Sequence, residues 1–353
     1  MAEAVLKDMR ITVHASGVAA TYAGRMLCGM GARVTLLEPV GGTPLRREPP
    51  FLPGSEVSAL FAYHTAGMDC IECEAPASLL ADADIFINDT PLAQRQALSI
   101  DEASIAARYP TLIHVSVLPF GAYGEKAHWQ AQEINLQHAS GEGYLLPNGL
   151  SVEQFPDRPP VKIHGHFAEM QGGIAAALGA LAALRVRDEV GGQFVDISCQ
   201  DAMLSVGAFA IQRFGDGQVE HRVERSFRYG GVIECADGYV ELLTLEQRQW
   251  EGLVDLLGWP QWALDPALAD SLERSRRGPE INRHIRAWAR DRKVADIVRE
   301  GQKRSVPLAK YNTPAEVLLD PHERARGLFQ PFAVAGAGVF DMLASPFQFG
   351  GPE

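Results

Sequence analysis

Glu169 is the residue whose setting asks most of chemistry. It enters the stretch "HFAEMQGGIAAALGALAAL", residues 166–184, a lone carboxylate ahead of a segment made almost wholly of Gly, Ala and Leu. Met170, Ile174, Leu178, Leu181 and Leu184 follow at steps of four, four, three and three, so they share one helical face. Gly172, Gly173, Ala175, Ala176, Gly179, Ala180 and Ala183 lie between them, a flank small enough to admit another backbone or a flat ligand. At a helix N-terminus, unpaired N–H groups and the helix dipole favour an ionised carboxylate. By itself Glu169 reads as an ordinary first-turn acid.

Two other groupings offer less. "DCIEC" places Cys70 and Cys73 at C-x-x-C spacing in a β-like run, but no second pair accompanies them. Three residues along a strand also put the two sulfurs on opposite faces. His164 and His166 in "HGH" have no Cys or carboxylate cluster beside them in the sequence, so no metal site is expected.

The elements that must position Glu169 alternate between strand and helix. "RITVHAS" reads as a buried strand, "GVAATYAGRMLCGMG" as a helix ending in Gly, and "ARVTLLEP" as a second strand with Glu38 at its tip. That is a β-α-β unit, the start of a Rossmann-like, doubly wound parallel sheet. The first turn, "HASGVAATYAG", lacks G-x-G-x-x-G, so neither nicotinamide nor flavin is expected, although Glu38 lies about where a dinucleotide fold keeps its ribose acid. "DCIECEA", "DIFINDT" and "TLIHVSVLPFG" continue as strands, with "ASLLADA" and "PLAQRQALSIDEASIAARYP" as helices. A Pro- and Gly-rich loop from Pro147 to Pro160 leads to the Glu169 helix, and "GGQFVDISCQDAMLSVGAFAIQRFG" turns from strand to long helix.

The texture changes near Val223. "GGVIECADGYVELLT" is a hairpin about a D-G turn, and Glu246 to Glu300 is helical and rich in Arg and Asp. "GLFQPF", "GVFDML" and "PFQFGG" read as short closing strands. The expected organisation is a large α/β domain from residues 1–222 with 321–353, and a smaller α+β domain over 223–320 inserted before the closing strands.

Composition bounds the function. Hydrophobic residues make up 46% and charged residues 22% of the 353, the balance of a soluble globular chain. A net charge of −12 with no basic stripe argues against nucleic acid. The apolar run after Glu169 stops at Arg185, too short to span a bilayer, and no signal peptide is visible. Five scattered cysteines suit a reducing cytoplasm.

Several separated motifs then meet in order. The chain resembles the class III CoA-transferases, the family that holds formyl-CoA and carnitine CoA-transferases and α-methylacyl-CoA racemase. "YAGRMLCGMGARVTLLEP" is similar to that family's opening A-G-R-x-L-x-x-x-G-A-x-V-x-x-x-E-P. "ADADIFIND" with "YPTLIHVSVLPFGAYG", "INLQHASG", "GGQFVDISCQDAML" and "SVPLAKYNTPAEVLLDPHERARGLF" resemble four further family segments with comparable spacing.

The resemblance implies that Glu169 takes the position of the family's nucleophilic Asp, which attacks an acyl-CoA thioester to give a mixed anhydride and then an enzyme–CoA thioester. Neighbouring glycine N–H groups are the donors expected at the oxyanion. CoA, a substrate rather than a resident cofactor, is expected along Ser16, Gly17, Val18 and Ala19, with Asn88, Asp89 and Thr90 near the adenosine and Arg95 facing a phosphate. The implied partners are acyl-CoA, a carboxylic acid and a second copy in an interlocked homodimer.

The chain departs from the family at named places. Glu stands for Asp at 169; "YHTAGMD" has no Lys, with Gly67 or Met68 as the approximate equivalents; Pro39 and Ala131 stand where relatives can carry basic residues. Gln132 in "AQEIN" stands where the racemase has its His, and an amide cannot exchange a proton at neutral pH, which disfavours racemisation. Two readings stay open: CoA transfer with Glu169 as nucleophile, and a catalytically silent subunit, or half of a fused pair, working with an active relative.

Overall fold

The structure, a computed structural model, describes residues 4–146, 155–159, 161–207 and 229–349. The chain divides into two compact units, the first made of Met1–Gly143, Lys162–Phe209 and Asp320–Glu353, the second of Tyr144–Val161 and Ala210–Leu319. Most of the Pro147–Pro160 loop, the end of the helix expected after "DISCQ" and the expected 222/223 boundary lie outside the described residues.

The first unit is built on six parallel strands: β1 (Arg10–His14), β2 (Arg33–Glu38), β3 (Asp69–Glu72), β4 (Ile85–Asn88), β5 (Ile113–Leu118) and β6 (Phe194–Ser198). Their order is β3-β2-β1-β4-β5-β6. The chain winds outward through β2 and β3, returns to β4 on the other side of β1, and winds on to β6. The direction of winding therefore reverses between β1 and β4, where His14 pairs with Asn88 at the carboxyl ends. An open α/β sheet binds ligands at such a point because the connections diverge there and leave a crevice. Ile11, Val13, Ile85, Ile87, Ile113 and Val115 are buried in the sheet's core, as continuous apolar runs covered on both faces should be.

Helix α1 (Val18–Gly29) follows β1 directly, with Gly17 as its extended N-cap. Short helices α2 (Ala59–His64), α3 (Leu92–Arg95), α4 (Glu102–Arg108) and α5 (Glu133–Ala139) precede the long α6 (Phe167–Val190), and α7 (Cys199–Val206) follows β6. The single helix expected over "PLAQRQALSIDEASIAARYP" is two, α3 and α4. Ser99 adopts φ 55, which no helix interior tolerates, and Asp101 starts α4 afresh by accepting from the Ser104 N–H. "ASLLADA" forms only a 3₁₀ turn, Pro76–Leu79.

Helix α6 buries its small side rather than its large one. Ala168, Gly172, Gly173, Ala176, Ala177, Ala180 and Ala183 are buried, while Ile174 is 44% and Leu178 67% exposed. A Cβ on Gly173 would stand 2.6 Å from the Ala19 carbonyl oxygen, and one on Gly172 2.5 Å from Cys199 Sγ. The small flank thus receives the backbone of α1 and the start of α7. The helix runs on past Arg185 to Val190, so that, against the expectation of a run too short to span a bilayer, α6 with its 24 residues is the one described helix long and apolar enough to cross a membrane, by length and composition alone.

The second unit has its own core, in which Trp250, Leu253, Ile281, Ile285, Ile297 and Val306 are buried. Its antiparallel sheet joins β7 (Gly231–Cys235), β8 (Gly238–Leu242) and β9 (Leu308–Lys310). The helical stretch expected over 246–300 is broken into Gln247–Leu256, Ser271–Arg276, Gly278–Ala289 and Val294–Lys303. Near the C-terminus, β10 (Phe329–Val334) and β11 (Gly338–Leu343) pair as a hairpin; "PFQFGG" adds no strand among the described residues.

Candidate active site

The carboxyl ends of β1, β4, β5 and β6 open into a cleft of about 820 Å³ in the first unit. Ser16, Gly17, Val18 and Ala19 line one wall, Asp89 stands at the switch point, and Glu169 and Cys199 close another side. These residues, up to 183 positions apart in sequence from Ser16 to Cys199, converge because each follows a strand or opens a helix at the same edge of the sheet.

Asp89 uses the donors of the first β-α turn. Its carboxylate accepts from the N–H of Ser16 at 3.0 and 3.1 Å and from that of Gly17 at 2.6 Å. A helix N-terminus is a ready anion site, and here the protein's own side chain occupies it. A ligand along Ser16–Ala19 would meet apolar and small surface rather than free N–H groups at those two residues.

Asn88, Thr90 and Arg95, expected as ligand contacts, lie behind the cleft wall. They are 0%, 4% and 2% exposed. Asn88 Nδ2 is 2.8 Å from His114 Nε2, and Thr90 Oγ1 is 2.9 Å from His14 Nδ1. Arg95 donates from Nε to the Thr90 carbonyl at 2.7 Å and from Nη2 to Ser116 Oγ at 2.9 Å. Burial holds this guanidinium down at about 10, and the same burial drops His114 to about 3. Arg95 therefore does not face a phosphate in this structure. These groups form a polar row beneath the strand ends in which the side chains pair with one another, with His114 Nδ1 the one buried ring nitrogen of the row left without a partner among the described residues.

Glu38, at the tip of β2, is likewise consumed internally. It accepts from Arg46 Nε at 2.7 Å, from Arg46 Nη2 at 2.6 Å and from the Thr43 N–H at 3.0 Å. It is 1% exposed and makes no ribose acid.

Glu169 occupies the first turn of α6, yet the N–H groups of that turn serve another residue. Glu133, on α5, accepts from Ala168 N at 2.9 Å through one oxygen and from Glu169 N at 3.0 Å through the other. Gly172 and Gly173 lie inside the helix and pack against α7 and α1, so their N–H groups are not free to meet the thioester oxyanion, as the resemblance implied they would. The partner of the Glu169 carboxylate is His166 instead: Nδ1 stands 2.6 Å from Oε2. That bond raises the His166 imidazole above its ordinary range against the opposing effect of burial. Cys199 beside it is no rival nucleophile. Burial, helped by the charges of Glu169, Asp89 and Glu133, pushes its thiol up to about 12.

Two features escaped the sequence. Glu133 as cap of α6 comes from 36 residues upstream, and no local pattern announces such a contact. The strip Ala127, His128, Trp129 and Gln130, next to the Ala131 and Gln132 that the sequence did single out, also lines the cleft. The aromatic and basic residues of "AYGEKAHWQ", in a Gly-bearing loop after a strand, were the signal that could have found it. No Lys or Arg lines the cleft among the described residues, and no cluster there could hold a metal ion.

The sequence model of CoA-transferase family III matches residues 6–353. The probable CoA-transferase Rv1866 of Mycobacterium tuberculosis is 29% identical over 320 residues, which are 86% of this chain but only 39% of that protein. The succinyl-CoA:mesaconate CoA-transferase of Haloarcula hispanica is 27% identical over 354 residues, 94% of this chain and 86% of that one. Among solved structures, a CAIB/BAIF family protein from Brucella suis superposes with TM-score 0.82 at 25% identity, covering 98% of this chain and 92% of its own. Rv3272 from M. tuberculosis shares the fold, with TM-score 0.84 at 19% identity over 98% and 93%.

Proposed function

The chain belongs to CoA-transferase family III, and from that membership we propose that it moves CoA from an acyl-CoA thioester to a carboxylic acid through Glu169. The observation that carries this reading is the position of the Glu169 carboxylate, on the wall of the same cleft that Ser16–Ala19 line. Glu169 attacks the thioester carbonyl and releases CoA thiolate, giving an acyl-glutamyl anhydride. The thiolate attacks the glutamyl carbonyl, the first acid departs, and the incoming carboxylate collects CoA by the reverse steps. The Cys199 thiol is neutral and the Asp89 carboxylate is held by the Ser16 and Gly17 N–H groups, which leaves Glu169 for the attack.

The cleft supports modest affinity for CoA, since none of its described lining residues is Lys or Arg and Ala131 stands where relatives can carry a base. One relative is named for succinyl-CoA and mesaconate, so dicarboxylic thioesters are the first substrates to try. A homodimer in the cytoplasm is part of the reading. Exposed Ile174 and Leu178 on α6 are apolar surface that a second copy would cover.

The test is incubation with succinyl-CoA, acetyl-CoA and benzoyl-CoA, followed by mass spectrometry of the Glu169 peptide with and without hydroxylamine. A CoA adduct or a hydroxamate at Glu169, absent in Glu169→Gln, is expected. Turnover that survives Glu169→Gln would overturn the assignment. A second reading, a silent subunit paired with an active relative, is favoured by one observation: the chain spans 39% of the length of Rv1866. It predicts activity only with a partner chain, indifferent to Glu169→Gln.

A further inference from the structure

We infer that His166 is a catalytic residue, the donor that steadies the glutamyl oxygen when CoA thiolate attacks Glu169; this rests on the reading of Glu169 as nucleophile. His166 Nδ1 and Glu169 Oε2 are 2.6 Å apart. An ionised carboxylate only accepts, so the proton between them belongs to Nδ1. His166 is the N-cap of α6, and the i, i+3 spacing brings its ring over the first turn. Other donors are committed. The N–H groups of Ala168 and Glu169 go to Glu133, and those of Gly172 and Gly173 lie within the helix. Among the described residues the imidazole is the donor that Glu169's carboxylate has.

Its placement divides the work of the two oxygens. Oε2 is held by His166, while Oε1 accepts from no described residue and is the oxygen free to attack. Oε1 adds to the thioester carbonyl carbon, the C–S bond breaks, and CoA leaves as thiolate. Oε1 now bridges the acyl carbon and Glu169 Cδ, and Oε2 has become the glutamyl carbonyl oxygen, still facing Nδ1–H. When the thiolate adds to Cδ, the electron pair of the Cδ–Oε2 double bond moves onto Oε2, where the N–H meets the new negative charge. Collapse of that intermediate expels the first acid with Oε1 and leaves Cδ(=Oε2) bonded to the CoA sulfur. The incoming carboxylate adds to the same carbon and places the same charge on Oε2. His166 keeps its proton throughout. The groups that face the imidazole are Glu169, Glu133 on α5, Glu48 in the loop before α2, and His64 on α2. The three carboxylates favour the protonated ring; His64, itself lowered to about 3 by burial, stays neutral.

The test is single-turnover reaction of the whole protein with succinyl-CoA, acetyl-CoA and benzoyl-CoA in wild type, His166→Ala and His166→Asn. Asn can present a donor near the position of Nδ1. His166→Ala should slow the Glu169–CoA adduct by about a hundredfold or more, the usual effect of removing one oxyanion donor. It should leave the CoA dissociation constant unchanged and let hydroxylamine trap acyl anhydride ahead of the adduct. His166→Asn should recover most of the rate. Adduct formation at the wild-type rate in His166→Ala would overturn the inference and leave the nucleophile standing, as would equal slowing in both variants with no anhydride trapped. No Glu169 adduct in wild type with any of the three thioesters would overturn both.

Discussion

The backbone N–H of Glu169 donates to the carboxylate of Glu133 at 3.0 Å, and that of Ala168 donates to the same group at 2.9 Å. One acidic side chain thus caps the helix that carries another. The first turn of α6 is tied to α5 rather than left open to a ligand, and Glu169 is set at the cleft by a contact that no segment near it encodes.

Glu133→Ala should therefore uncap α6 and lower unfolding stability by about 1–2 kcal/mol, the usual cost of losing an N-cap acceptor. Glu133→Gln keeps one acceptor oxygen and should cost less. Urea denaturation of the three proteins checks the order; an alanine variant as stable as wild type would show that the cap contributes nothing.

The close approach of α6 to α1 and α7 sets a second expectation. Gly173→Ala brings a Cβ within 2.6 Å of the Ala19 carbonyl oxygen, and Gly172→Ala within 2.5 Å of Cys199 Sγ. Each should cost about 1–3 kcal/mol through overpacking. Cys199→Ala should rescue part of the Gly172→Ala loss, because its sulfur is the nearest obstacle, and none of the Gly173→Ala loss, where the obstacle is backbone. Thermal unfolding of the single and double variants reads this directly.

Arg95 and Ala131 should behave oppositely on mutation. Arg95→Ala strips the Thr90 carbonyl and Ser116 Oγ of a buried donor, so stability should fall by about 3 kcal/mol. Ala131→Lys adds a cation to a cleft wall with no Lys or Arg among the described residues, and should tighten CoA binding by up to about tenfold, some 1.4 kcal/mol, without destabilising the fold. Gly67, one of the two positions suggested by sequence beside Met68, suits a Lys poorly: it adopts φ +83 and its Cβ would lie 3.0 Å from Cys28 Sγ. Calorimetry with CoA distinguishes the outcomes, and an unchanged affinity in Ala131→Lys would place the phosphates elsewhere.

Acid should weaken the first unit through Glu38. Burial pushes its carboxyl up, but the Arg46 guanidinium and the Thr43 N–H outweigh burial and hold it below the ordinary carboxylate range. A depressed folded value contributes stability that is present above the unfolded value, near pH 4.3, and is lost as pH falls through the folded one. Glu38→Gln should be less stable than wild type by about 1–3 kcal/mol at pH 7. The gap should narrow below about pH 4. Denaturation midpoints across that range test the sign.

Much of the scaffold was legible in sequence because its determinants are local. Apolar runs such as "ITV" and "IFIN", separated by helical periods, specify parallel strands whatever they later touch. The same holds for the hairpin about the Asp237–Gly238 turn, whose two strands pair from Gly231 to Leu242. The split of the helix expected over residues 91–110 was less visible, since a positive φ at Ser99 is stabilised by its surroundings rather than by residue type.

The sequence by itself determined that this chain makes a doubly wound sheet, that Glu169 opens a small-residue helix, and that the motifs of one family run through it in order. These follow from periodicity and residue size, which neighbours in the chain suffice to express. Only the tertiary structure decided which groups are spent and which are free. Asp89 fills the anion site of the first turn, Arg95 and Asn88 turn inward to one another's neighbours, Glu133 takes the donors of α6, and His166 is left facing Glu169. The physical reason is that a polar side chain's role is set by whichever partner reaches it first within about 3 Å, and those partners come from strands and helices tens of residues away.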